Sequence, residues 1–288
     1  KWRPLVDPRG ADAYVLSSLY GQAQASPHDK LCRLWMFIAT LRDHGAARVT
    51  AVVPYLAYAR KDRQTKPFDP LGLRYVAQGF EAMGTAQLIV LEAHNVAALQ
   101  NAFRCPTLHV ESHTAFDALA ERWAARGPIA VASPDPGGVK RALLWREHLE
   151  ERLHQAVGFA MIDKRRSAGV VSSANLVAGE VAGQSVLVFD DLIASGETMR
   201  RAALALREHG ACDVIAVAAH GLFIAPAAAV LADASITELA VTDSVRPFRL
   251  PADGATARKL QIVGVAPLIA MAIRASHAAW VHAPEYTS

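Results

Sequence analysis

The 288-residue chain has little cysteine, few aromatics and no long apolar run, and each shortage narrows what it can be. Its three cysteines, Cys32, Cys105 and Cys212, are odd in number and far apart without CxxC spacing. That excludes a disulfide framework and a cysteine zinc site, and it suits a reducing, cytoplasmic setting. Neither sign of charge dominates, because 30 Lys plus Arg face 27 Asp plus Glu for a net +3. Sequence-independent nucleic-acid binding needs a far stronger basic field, so no nucleic-acid partner is expected. The longest apolar stretches, residues 222–232 and 262–273, are shorter than a bilayer crossing and contain Pro226 and Pro267. No membrane segment is expected. The chain opens at Lys1-Trp2-Arg3 with neither an initiator methionine nor a signal-type apolar region, so it is expected to start inside a longer protein.

What the chain does contain is 52% apolar and 20% charged residues, enough for one or two full cores. One local pattern occurs three times: a helical stretch stops at glycine, and a β-branched apolar run follows and ends in polar residues. The copies are Arg42-Asp43-His44-Gly45 before residues 49–55, Glu81-Ala82-Met83-Gly84 before 88–94, and Arg207-Glu208-His209-Gly210 before 214–220. Glycine there supplies the left-handed residue that ends a helix. Short continuous apolar runs, including 129–133, 186–189 and 236–242, read as parallel strands buried on both faces. The fold class is therefore α/β. The irregular spacing rules out a solenoid. It suits two tandem domains, 1–110 and 111–288, with the break near Pro106 and the polar Glu111-Ser112-His113-Thr114. In open α/β sheets ligands bind beyond the carboxyl ends of strands, so the chemistry is sought in the residues after each run.

The strongest such signal is residues 186–198, Val-Leu-Val-Phe-Asp-Asp-Leu-Ile-Ala-Ser-Gly-Glu-Thr, leading into a helix. A strand delivers Asp190 and Asp191, then Ala194, Ser195, Gly196, Glu197 and Thr198 lead onto a helix N-terminus. Free amides and hydroxyls there suit a phosphate, which the helix dipole also favours. Adjacent carboxylates suit the cis-diol of a sugar, since they accept hydrogen bonds from both hydroxyls. Taken singly, an aspartate can simply end a strand and a serine can simply cap a helix. The whole string favours a sugar-phosphate loop.

These residues resemble the phosphoribosyl-pyrophosphate loop of the type I phosphoribosyltransferase fold. Three further segments narrow the resemblance to the ribose-phosphate diphosphokinase family: Met161-Ile162-Asp163-Lys164-Arg165-Arg166, Ser133-Pro134-Asp135-Pro136-Gly137-Gly138-Val139, and Pro54-Tyr55-Leu56-Ala57-Tyr58-Ala59-Arg60-Lys61-Asp62-Arg63. The resemblance keeps the same order over nearly the whole chain. It implies two tandem phosphoribosyltransferase-like domains, each a mostly parallel sheet flanked by helices, with ATP on the first and ribose 5-phosphate on the second. By composition Lys164-Arg165-Arg166 is a solvated cationic run. The resemblance makes it a mobile flap in which Lys164 and Arg166 neutralise charge during transfer, with Arg166 also reaching ribose 5-phosphate. It also assigns Arg60, Lys61, Arg63 and His94 to ATP, and His94 with Asp135 to a Mg2+ site.

Several positions depart from the family pattern: Glu92 for Asp, the cation-poor tract 64–69 with Phe68, Ala194 for Asp, and Ile262 where regulated members often carry Ser. The adenine-contacting loop expected nearer the N-terminus has no match, and the tail 281–288 does not resemble the family's. Two alternatives stay open, a phosphoribosyltransferase that consumes phosphoribosyl pyrophosphate and a catalytically silent regulatory homologue. A homodimer or higher homo-oligomer is implied, as in the family, and control by phosphate or ADP is left undecided.

Overall fold

The computed structural model describes residues 3–167 and 170–282, with backbone but no side chains at 164–167 and 170–175. The chain divides into two compact units, one formed by Lys1–Glu111 with Ala266–Ser288 and the other by Ser112–Val265. Residues 266–282, grouped with the second domain on sequence, thus pack with the first unit.

The first unit runs β1 (Asp12–Leu16), α1 (Pro27–Asp43), β2 (Arg48–Val53), α2 (Gly72–Ala82), β3 (Gln87–Leu91), α3 (Val96–Ala102) and β4 (Thr107–Val110). Its four strands pair in parallel in the order β1-β2-β3-β4. Helix α1 starts on a capping box in which Ser26 Oγ accepts from the Asp29 N–H, and Asp29 accepts from the Ser26 N–H at 2.8 Å. Alternation along the strands decides the faces. Val49, Ala51, Val53, Leu88 and Val90 meet Leu34, Ile38, Val76 and Phe80 of the helices in one core. Asp12, Tyr14, Arg48 and Gln87 fall in the opposite set and meet the helix α9 (Ala266–Val281). Arg48 donates to Asp12 at 2.7 and 2.9 Å and to the Ser276 carbonyl at 3.2 Å, while His277 Nδ1 lies 2.7 Å from Asp12. This polar latch is why an apolar C-terminal helix belongs to the N-terminal sheet. Sequence periodicity carries no such information.

The second unit contains α4 (Asp117–Ala124), β5 (Ile129–Ser133), α5 (Val139–Leu153), β6 (Gly158–Ser167), β7 (Val170–Ala178), β8 (Ser185–Ile193) and α6 (Glu197–Glu208). It continues through β9 (Asp213–Gly221), α7 (Ala227–Val230), β10 (Glu238–Thr242), α8 (Ala255–Lys259) and β11 (Leu260–Val263). The sheet order is β11-β10-β9-β8-β5-β6-β7, parallel except for the β6/β7 hairpin. Both faces are covered. Val186, Val188, Ala216 and Val241 pack with Met199, Ala203 and Leu206 of α6, whereas Leu187, Phe189, Ile215 and Val217 pack with Leu119, Trp123, Trp145 and Leu149 of α4 and α5. Unbroken apolar runs are what a doubly covered parallel sheet requires.

The three repeated helix endings have one geometry. Gly45, Gly84 and Gly210 take φ of +86°, +84° and +87°. Each donates to the carbonyl three residues back, and the following residue reaches back five, as Ala46 does to Leu41 at 3.0 Å. Strand ends fall short of the sequence expectation where the backbone turns. Strand β3 stops at Leu91 because Glu92 adopts φ +44°, and β10 starts at Glu238, two residues late. From Val170 the chain supplies the second arm of a hairpin with β6, in which Lys164 pairs with Asn175.

Candidate functional site

The acidic doublet lies near the carboxyl end of the central strand β8, where register pairs Asp190 with Ala218 and Leu192 with His220 of β9. Asp191 is buried and Asp190 half-buried. Asp190 Oδ1 accepts the Asp191 N–H at 2.8 Å. Burial pushes the Asp190 carboxyl well above the usual carboxylate range; the charges of Asp191 and Asp135 add to this and Arg141 opposes it. A carboxylate held in so unfavourable a setting is a candidate for binding work, because folding gains nothing from it.

Directly after the doublet, the chain turns at Gly196 (φ +83°) into α6. No side chain caps this helix, so its first amides are left for an anion. The turn is braced from behind: Ile224 donates to the Ala194 carbonyl at 3.0 Å and Leu222 to the Ile193 carbonyl at 2.9 Å. Ser195 and Thr198 are partly exposed at its mouth, and Gly196 is buried. Glu197 is exposed with its carboxylate paired to Arg200 at 3.0 Å, so what it offers an anion is its backbone N–H. Ala194 brings only a methyl group to the start of the turn.

Asp135 is exposed in the turn after β5. Its Oδ1 accepts from the Gly137 and Gly138 amides at 2.9 and 3.1 Å, leaving one oxygen without a described protein partner. Ser133 Oγ donates to the Asp135 carbonyl at 2.6 Å, and a Cβ on Gly138 would sit 2.7 Å from that Oγ. The turn is tight and only glycine fits it.

In the first unit, Arg60, Lys61 and Arg63 are exposed in the connection from β2 to α2, and their side chains form no hydrogen bond or salt bridge with a described residue. Backbone bonds fix the loop, Lys61 N–H to the Tyr58 carbonyl at 2.9 Å and Leu73 N–H to the Lys61 carbonyl at 3.1 Å. His94 is exposed just past the end of β3. Asn95 links the two: it caps α3 by accepting from Ala98 N–H at 3.1 Å and donates to Asp62 at 2.9 Å. The cation loop and the histidine are thereby held side by side. Phe68 is 99% exposed with φ +70°, so it contributes nothing to the core of this unit. The Lys164, Arg165 and Arg166 side chains lie outside the described residues, although their backbone forms the end of β6.

Sequence reasoning missed Arg141 and Asn95. Arg141 leaves α5 with a side chain only 13% exposed, and its Nη1 lies 3.6 Å from Asp190 Oδ1 and 3.7 Å from Asp191 Oδ1. In the sequence, Lys140-Arg141 reads as ordinary helix-surface charge. The one available signal is its position three residues after the second glycine of the Asp135 turn. Asn95 could have been found as a helix cap, but its link to Asp62 could not.

Among the described residues no group of three or more His, Cys, Asp or Glu side chains is placed to cage a metal, and no helix is long and apolar enough to cross a membrane. Residues 2–84 match the family described as the N-terminal domain of ribose phosphate pyrophosphokinase, and residues 171–281 match the phosphoribosyl synthetase-associated domain. Among curated relatives, the ribose-phosphate pyrophosphokinase of Brucella melitensis is 35% identical over 267 residues, covering 92% of this chain and 81% of that protein. That of Caulobacter vibrioides is 35% identical over 268 residues, with the same coverage of 92% and 81%. Among solved structures, phosphoribosylpyrophosphate synthetase from Mycobacterium smegmatis superposes with a TM-score of 0.81 at 31% identity, over 96% of this chain and 86% of that one.

Proposed function

Because the chain belongs to the ribose-phosphate pyrophosphokinase family, we propose that it transfers the diphosphoryl group of ATP to the anomeric hydroxyl of ribose 5-phosphate, giving phosphoribosyl pyrophosphate and AMP. The chain has the two phosphoribosyltransferase-like α/β domains of that family. The observation that carries the reading is the doublet Asp190-Asp191 running straight into an uncapped helix start at a left-handed glycine. Carboxylates able to accept from a diol and amides able to hold a phosphate follow one another along one segment, which supports the reading.

In the transfer, the anomeric oxygen bonds to the β-phosphorus as the bond from that phosphorus to the oxygen bridging to the α-phosphate breaks. AMP takes the bond pair and the hydroxyl loses its proton. Positioning and charge neutralisation dominate such chemistry. Asp190 and Asp191 hold the ribose diol, while Ser195, Thr198 and the amides of residues 194–198 hold the 5-phosphate. Arg60, Lys61, Arg63 and His94 hold ATP, a role supported by exposed cations kept beside the histidine through the Asn95–Asp62 bond. Lys164 and Arg166 close over the reacting phosphorus, and Arg166 also meets the sugar phosphate; the sequence Lys164-Arg165-Arg166 at the end of β6 supports this.

The donor set fits Mg2+. Asp135 keeps one carboxylate oxygen without a partner among the described residues, and His94 is exposed, so each offers a donor that Mg2+ takes directly or through water. Bound there, Mg2+ would supply charge neutralisation on the phosphate oxygens. A cytoplasmic setting and a homodimer or higher homo-oligomer complete the proposal, as for the family the sequence resembles.

The test is to incubate the protein with ATP and magnesium, with and without ribose 5-phosphate, and to follow AMP. AMP that depends on the sugar phosphate is the expected result. Pyrophosphate release from phosphoribosyl pyrophosphate plus a base, with no AMP, would overturn it, as would silence in both assays. Lys164→Ala is expected to slow turnover by about a hundredfold or more with an unchanged unfolding temperature; unchanged turnover would remove Lys164 from the mechanism.

A further inference from the structure

We propose that Arg141 is a positioning residue, the guanidinium that holds Asp190 and Asp191 in place to receive the ribose diol. The inference rests on the reading above that the doublet binds ribose 5-phosphate.

Two adjacent residues of a strand ordinarily point to opposite faces. Here one group, Arg141 Nη1, comes within 3.6 Å of Asp190 Oδ1 and 3.7 Å of Asp191 Oδ1. These distances are too long for good hydrogen bonds but well within ion-pair range, so the guanidinium acts as a shared counter-charge. The Asp190 oxygen facing Arg141 is the one that already accepts the Asp191 N–H at 2.8 Å. Both restraints fall on Oδ1, so together they hold the carboxyl in one orientation.

The charged groups acting on Asp190 are Asp191 on its own strand, Asp135 from the turn after β5, and Arg141 from α5. Two are anions. Without the third, Asp190 would face the two anions with no counter-charge and would swing away from the position that accepts from both hydroxyls.

Arg141 is held to this task by its surroundings. It is only 13% exposed, it lies just after the start of α5, and it follows the packed turn in which Gly138 admits no Cβ against Ser133. A guanidinium forced to stay ionised is suited to such a place, because burial cannot deprotonate it.

The test measures ribose 5-phosphate affinity by calorimetry without ATP, together with the KM for each substrate, in Arg141→Met, Arg141→Lys, Asp190→Asn and the double variant Arg141→Met/Asp190→Asn. Arg141→Met is expected to weaken ribose 5-phosphate binding about tenfold or more while leaving the KM for ATP within about twofold. Arg141→Lys is expected to recover part of the loss. In the Asp190→Asn background, Arg141→Met is expected to cost little further, because its partner is already gone. Sugar-phosphate binding within twofold of wild type in Arg141→Met, or an equal rise in both KM values, would overturn the inference. So would an undiminished loss in the Asp190→Asn background. If Arg141→Met does not fold, the KM split in Arg141→Lys decides in the same way. A wild-type protein that binds no ribose 5-phosphate would instead overturn the functional reading itself, which separates the two failures.

Discussion

Gly196→Ala is the sharpest probe of the phosphate turn, because the cost can be worked out from two separate causes. First, Gly196 has φ +83°, a conformation that costs an L-residue about 1–2 kcal/mol. Second, an added Cβ would lie 2.7 Å from Leu231 Cγ and 2.8 Å from its Cδ2, and Leu231 is fully buried with no room to retreat. Overpacking of this kind adds about 1–3 kcal/mol. The sum, about 2–5 kcal/mol, lowers the unfolding temperature of the second unit by roughly 5–15 °C. It also tilts the first amides of α6, so the KM for ribose 5-phosphate rises.

A double variant separates the causes. Leu231→Ala alone costs about 2–5 kcal/mol through its cavity. Combined with Gly196→Ala it makes room for the new methyl group but leaves the backbone strain. The double variant is therefore less destabilised than the sum of the singles by about 1–3 kcal/mol. Calorimetric scanning of the four proteins measures this. A Gly196→Ala protein with wild-type unfolding temperature and wild-type KM, or strictly additive singles, would refute the argument.

Other consequences follow from buried charge. The Asp190 carboxyl is raised by burial and by Asp191, so its stabilising contribution is complete below the ordinary aspartate pKa and is lost as pH rises through the higher folded value. Asp190→Asn should therefore raise the unfolding temperature at pH 7.5 but not near pH 4, while weakening ribose 5-phosphate binding; an equal shift at both values would contradict the assignment. At the latch of the first unit, burial works against the Asp12 charge, but the hydrogen bonds from Arg48, His277 and Tyr14 outweigh it and hold the carboxyl below its ordinary value. Its contribution is present above about pH 4 and fades as acid protonates it. Arg48→Met leaves that carboxylate buried without its main partner and should cost about 3–5 kcal/mol in denaturant unfolding at pH 7; a loss below 1 kcal/mol would show that the latch holds nothing. Burial and then Glu81 push the Cys105 thiol up to about 11, whereas Cys32 and Cys212 are exposed. At pH 8 two thiols should react quickly with a disulfide reagent and the third slowly, and three equal rates would argue against that burial.

Much of the fold was legible because parallel α/β architecture writes itself locally. A buried central strand must be apolar on both sides, and a helix that stops cleanly needs a left-handed residue; the runs near Val131, Leu187 and Val217 and the endings at Gly45, Gly84 and Gly210 state both conditions in consecutive residues. The candidate site was legible wherever one segment brings its groups together, as the acidic doublet and the uncapped helix start of residues 190–198 do. Strand limits were less so, since the turn at Glu92 depends on a backbone angle that no residue type dictates.

Sequence alone thus determined the α/β class, the acidic doublet with the glycine turn behind it, and the cationic segments, because each is a short-range pattern set by periodicity or by adjacency along the chain. Only the tertiary structure decided that α9 covers the N-terminal sheet, that Asn95 links the cation loop to the histidine segment, and that Arg141 comes within ion-pair range of both aspartates. Those pairings join residues up to 265 positions apart. Such contacts are selected by which faces meet once the sheets have formed, and a linear reading contains no term for that.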